Sequence, residues 1–181
     1  QYFGDGQYTE STSIYKKLQD LFPEDVKTCD WQGKIVVNTL ATDNKEVQWT
    51  ETENLGKFYT KFNEGDYKKS QKKKCKDNAL ATMKQMATVW HDEAEKTKLD
   101  RTYELAENAY EVFLQTFPGD KDGYELQYYY AELLWALAEN NYNNKEKGAR
   151  EKGIEYFLKA HTQFVKTLEL DPEGKYTTDS A

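Results

Sequence analysis

Proline is scarce in this 181-residue chain: three residues, beside ten glycines. Methionine, cysteine and histidine number two each. With so few prolines, long stretches are left in which a helix can run unbroken. Two cysteines and two histidines in no familiar spacing exclude a zinc site, and no metal or cofactor is expected. No run of 18 apolar residues exists, so no segment reads as a membrane-spanning helix. Positive charge is short as well: 25 Lys and Arg stand against 32 Asp and Glu, a net charge of −7. That argues against a nucleic-acid-binding domain, which needs a basic footprint. Strand signals are sparse, since Ile35-Val36-Val37 is the only β-branched triplet and sits inside a helical pattern. The opening Gln1-Tyr2-Phe3-Gly4 has neither an initiator Met nor an apolar leader. It reads as the start of a mature or excised piece of a longer protein.

What the chain does have is aromatic side chains: 14 Tyr, 8 Phe and 4 Trp. A mean hydropathy of −0.99 therefore does not signal disorder, because disordered chains are poor in aromatics. Apolar residues recur at helical spacing, most clearly at Tyr103, Ala106, Tyr110, Phe113, Leu114 and Phe117, before the breaker Pro118-Gly119-Asp120. The pattern predicts helices over about 7–22, 26–42, 45–64, 76–97, 100–117, 123–141 and 147–170. Most links are short: Pro23-Glu24-Asp25, Thr42-Asp43-Asn44, and Gly119 to Asp122. Two are longer, Gly65 to Cys75 and Asn140 to Asn144. Short links join antiparallel neighbours, so the chain reads as a string of helical hairpins.

Three segments share one pattern: Ser11-x3-Tyr15-x2-Leu18-x4-Pro23, Ala106-x3-Tyr110-x2-Phe113-x4-Pro118 and Ala160-x3-Phe164-x2-Thr167-x4-Pro172. A small residue admits a neighbouring helix, an aromatic fills the space one turn on, and proline ends the helix. A degenerate copy, Leu55-x3-Tyr59-x2-Phe62, has Tyr67 where the proline would stand. The pattern resembles the second helix of the tetratricopeptide repeat (TPR), and Gly6-Gln7-Tyr8 looks like the turn entering it. Gly33 and Ala131 look like the small residue of the repeat's first helix. The resemblance implies an all-α, right-handed α-solenoid of antiparallel hairpins with pairs at about 26–64, 76–118 and 123–172, residues 7–22 being the second helix of a preceding repeat. The whole of 1–181 is then one solenoid segment of a longer chain. Tyr15, Tyr59, Tyr110 and Phe164 lie 44, 51 and 54 residues apart, so these repeats are longer than the ~34 residues of a TPR.

Ala109-Tyr110 to Phe117-Pro118, followed by Gln127-Tyr128-Tyr129-Tyr130-Ala131-Glu132-Leu133-Leu134, is similar to bacterial envelope TPR proteins. These are of the Tol–Pal accessory and outer-membrane-assembly type, or the large myxobacterial type with links to gliding motility. The resemblance implies a non-catalytic adaptor in the periplasm or at the outer-membrane periphery of a Gram-negative bacterium, with a cytoplasmic protein as the alternative. It implies a concave groove for a peptide or partner helix, lined by Lys34, Val37 and Asn38 on one first helix and by Tyr128, Glu132 and Trp135 on another, with Trp90 as a further member. Tyr129, Leu133 and Leu137 are expected in the core. Cys29 and Cys75, at the starts of consecutive first helices, form a disulfide or remain two thiols in a reducing compartment.

No catalytic set stands out. His91-Asp92-Glu93 is not HExxH, and His91 and His161 are expected at exposed helix positions. Lys68, Lys69, Lys72, Lys73, Lys74 and Lys76 form a solvated loop or an anionic contact. Besides the adaptor, two other roles fit: a rigid spacer, or the substrate-recruiting module of an enzyme whose catalytic part lies elsewhere.

Overall fold

A computed structural model of the protein describes residues 7–42 and 44–180. The expectations for Gln1 to Gly4, Gly6 and Asp43 fall outside them. The described residues form eight helices and no strand: α1 (Tyr8–Leu21), α2 (Thr28–Thr39), α3 (Lys45–Glu64), α4 (Lys69–Thr97), α5 (Asp100–Thr116), α6 (Gly123–Tyr142), α7 (Ala149–Leu170) and α8 (Thr177–Ser180). The class is all-α. No helix among them is long and apolar enough to cross a membrane.

One boundary departs from the periodicity. Most of the lysine run expected in a loop up to Cys75 is helical, because α4 begins at Lys69, and Lys68 alone remains in the link. Lysine is a good helix former, and neither glycine nor proline interrupts residues 66–97. The charge is also absorbed locally. Lys72 Nζ donates to the Asn63 carbonyl at 2.7 Å, Lys73 pairs with Asp77 and Lys74 with Asp30.

The three prolines build one corner three times. Each lies two residues after a helix end and five before the next helix start: Leu21–Pro23–Thr28, Thr116–Pro118–Gly123, and Leu170–Pro172–Thr177. Proline disfavours helical backbone in the residue before it. Accordingly Phe22, Phe117 and Asp171 have left the helical region, with φ −134, −124 and −151°. Each still donates its N–H to the carbonyl four residues back. Two turn bonds follow at matching offsets, for example Asp25 N–H to Phe22 O and Thr28 N–H to Asp25 O. Counting from these corners corrects one register: Gly33 corresponds to Tyr128, and Ala131 corresponds to Val36.

The chain divides into two compact units, Gln1–Gln85 and Met86–Ala181, with the boundary inside α4. In the first unit α2 packs between α1 and α3, and the seams are polar. Gln19 Nε2 donates to Gln32 Oε1, and Gln32 Nε2 in turn donates to the Glu51 carbonyl and carboxylate. Lys16 pairs with the same carboxylate. Burial alone would raise the Glu51 pKa, but hydrogen bonds from Lys16, Gln32 and Asn54 and the Lys16 charge bring it below the ordinary 4.5. Cys29 and Cys75 are joined by a disulfide (S–S 2.02 Å). Phe62, Tyr59 and Tyr67 pack around it.

The second unit has a conventional apolar core, with Tyr103, Leu105, Tyr110, Phe113, Leu126, Leu133 and Leu134 all fully buried. α6 packs on α5 and most extensively on α7. That last contact depends on Gly153, where a Cβ would lie 2.6 Å from the Tyr142 nitrogen and 2.9 Å from the Ala138 carbonyl. Ala106 and Ala160, the small residues of two repeats, are fully buried, as are Tyr110 and Phe113. Tyr15, Tyr59 and Phe164 are half-buried, while the corner prolines sit at the surface.

Candidate functional site

α6 presents Tyr128, Glu132, Trp135 and Glu139 at three- and four-residue spacing, hence on one helix face. In front of them lies a cleft of about 630 Å³. Its other walls are Glu95 from α4, His161 and Phe164 from α7, and Asp179 and Ser180 from α8. A neighbouring cleft of about 370 Å³ shares Glu95 and Glu132 and adds Thr88, His91, Asp92, Tyr110 and Tyr129.

The lining is held in place from behind. Trp135 is 46% exposed, yet its ring packs on Phe157 in a T-shaped contact with centroids 4.8 Å apart. Tyr128 stacks on Tyr176 with centroids 4.3 Å apart and planes within 9°. Its hydroxyl donates to Glu132 Oε1 at 2.8 Å, which fixes that carboxylate. Burial and the Glu132 carboxylate push the Tyr128 phenol well above the ordinary tyrosine range. The Tyr129 phenol, bonded to the Tyr176 hydroxyl and partly buried, is pushed up to about 12. Both therefore stay protonated at neutral pH.

His91 contradicts its expected exposure. It is buried, with Nδ1 2.8 Å from the Tyr110 hydroxyl. Burial lowers its pKa below the ordinary 6.5 and outweighs the opposing pull of Glu95 and Asp92. Carboxylates outnumber imidazoles in these clefts, with Glu95, Glu132, Glu139, Asp179 and Asp92 against His91 and His161.

Three other residues are also corrected. Trp90 is fully buried and cannot meet a partner. Asn38 is buried too, because its Nδ2 donates to Ser11 Oγ at 3.0 Å and Thr12 Oγ1 at 3.1 Å across the α1–α2 seam. Tyr129, expected in the core, is half-buried and lines the smaller cleft, whereas Leu133 and Leu137 are core. Lys34 and Val37 do line a depression, of about 260 Å³ and within the first unit, together with Asp30, Gly33, Asn78 and Thr82. Phe164, read as packing, also forms a wall of the larger cleft. Sequence reasoning missed His161, Asp179 and Glu95 because they come from three helices that meet only in the folded unit. The matching corners after Pro118 and Pro172 were the signal that could have placed Asp179 beside α6.

No group of three or more His, Cys, Asp or Glu among the described residues is placed to hold a metal ion. No protein-family model and no curated protein matches this chain.

Proposed function

We propose that the chain is a partner-binding module of TPR-like hairpins, α2–α3, α4–α5 and α6–α7, acting as repeats of a right-handed α-solenoid. It works as an adaptor, by binding a peptide or helix without chemistry. The observation that supports this best is Trp135, nearly half exposed yet backed by Phe157, beside Tyr128 and Phe164 in a cleft large enough for several side chains. Tryptophan and tyrosine in preformed pockets are the usual hot spots of protein interfaces. A rigid lining also lowers the entropy lost on binding. The Cys29–Cys75 bond supports an oxidising location such as the periplasm. Placement in a Gram-negative envelope rests on the resemblance noted above.

Affinity capture tests the reading. The intact chain retains a discrete partner from an envelope lysate, and the Trp135→Ala variant loses it. Unchanged capture by that variant would favour the spacer role. The matching corner at Pro172, which starts α8 at the same offset as α2 and α6, is the observation on the spacer's side.

A further inference from the structure

We infer that the α6 cleft takes a basic segment of a partner protein, with lysine or arginine on its carboxylate rim and apolar side chains against Trp135 and Phe164. The inference rests on the partner-binding reading and names the chemistry of the partner.

Charge is distributed unevenly along the chain. Residues 1–85 contain 14 basic and 13 acidic side chains, whereas residues 86–181 contain 11 and 19. The negative charge of the molecule therefore belongs to the second unit. Within that unit many acids are matched: Asp100 by Lys152 at 3.0 Å, Glu104 by Arg101 at 3.2 Å and Glu107 by Lys159 at 3.7 Å. The cleft differs. Glu95, Glu132, Glu139 and Asp179 line it, and among the described residues no lysine or arginine does. Of the two histidines nearby, His91 is buried with Nε2 3.7 Å from Glu95 Oε1, its pKa lowered by burial, and His161 is exposed on the cleft wall. Lys98, in the next depression beside Glu139, directs its Nζ to the Tyr103 hydroxyl.

Carboxylates alternating with aromatic faces suit a cation that is part of an amphipathic chain. The ammonium or guanidinium meets a carboxylate, and its stem or plane lies on a ring. Arginine does both at once, through bidentate bonding and stacking. Anionic partners such as nucleic acid or acidic lipid are repelled by the same rim. An acidic peptide is excluded for that reason too.

The test is fluorescence anisotropy with three labelled peptides sharing one alanine–leucine frame and carrying lysine, glutamine or glutamate at the same positions. The lysine peptide is expected to bind the full chain roughly tenfold or more tighter than the other two, and more weakly as ionic strength rises. The Glu132→Gln, Glu139→Gln double variant lowers that affinity roughly tenfold. The amide oxygen introduced by Glu132→Gln can still accept the Tyr128 hydroxyl, so the cleft stays folded, as circular dichroism would show. Trp135→Ala weakens binding similarly, and Glu169→Gln on the exposed side of α7 leaves it unchanged. Equal binding of the glutamine or glutamate peptide, lost in Trp135→Ala, overturns the basic-partner inference and leaves the binding reading intact. No Trp135-dependent binding of any peptide overturns both. Self-association abolished both by Lys72→Glu with Lys73→Glu and by the cleft variant assigns the cleft to a second copy, and also overturns the inference.

Discussion

The two units of this chain solve the same packing problem by different means. The first buries Ser11, Thr28, Gln32, Asn38, Thr39, Gln48, Glu51 and Thr52 between its helices, beside the apolar side chains Ile35, Val36, Leu55, Phe62 and Met83. A net hydrogen bond is worth only about 1 kcal/mol, so such seams confer specificity more than stability. Even there Asn38 Oδ1 is buried without a partner. The disulfide compensates by restricting the unfolded chain. The second unit, rich in buried Leu and Tyr, needs no such bond. Its core is secured behind α6, which leaves the outer face of that helix available for Trp135 and the carboxylates.

The two units differ most at the disulfide. Replacing both Cys29 and Cys75 by Ser removes a constraint on a loop of 46 residues of sequence separation, worth about 4 kcal/mol. Hydrogen exchange should then accelerate at residues 7–85 far more than at 100–180. Equal acceleration in both units would remove the distinction. Next in size is Gly153→Val, which drives a side chain into the backbone of α6. The expected loss is about 1–3 kcal/mol by chemical denaturation, felt in the second unit.

Two pH effects follow, smaller and opposite in range. Glu51 has a lowered pKa, so the fold prefers its carboxylate. Its contribution is present above about pH 4.5 and disappears as pH falls through the lower folded value. Glu51→Gln should flatten the acid limb of the denaturation profile. His91 also has a lowered pKa, but for a base this means the fold prefers the neutral form. The unfolded chain takes up a proton near pH 6.5 while the folded one resists. Stability should therefore fall as pH drops below 6.5, until His91 protonates in the folded state too. A His91→Gln variant with an unchanged slope between pH 5 and 7 would show that this burial does not govern the titration.

Helix positions were legible in the sequence because an apolar stripe and a proline corner are local signals. Pro23, Pro118 and Pro172 placed three helix ends on their own. The α4 start was not legible, since a lysine run looks the same in a loop and in a helix until Asp30, Asp77 and the Asn63 carbonyl are nearby. Trp135 was legible as outward-facing, but Trp90 and Asn38 were not legible as buried. Each depends on what packs over it, α1 in the case of Asn38, and that is a tertiary fact. The cleft itself was half visible: α6 supplied its floor, while His161, Glu95 and Asp179 come from helices far apart in sequence.

The proposed site of partner recognition is the α6 face of the second unit, not the α2 depression of the first. Photo-crosslinking with a benzophenone amino acid placed singly at position 135 or position 34 tests it directly. The expected result is a discrete adduct at 135, competed by the lysine peptide, with little or none at 34. An adduct at 34 alone, or equal labelling at both, would contradict it.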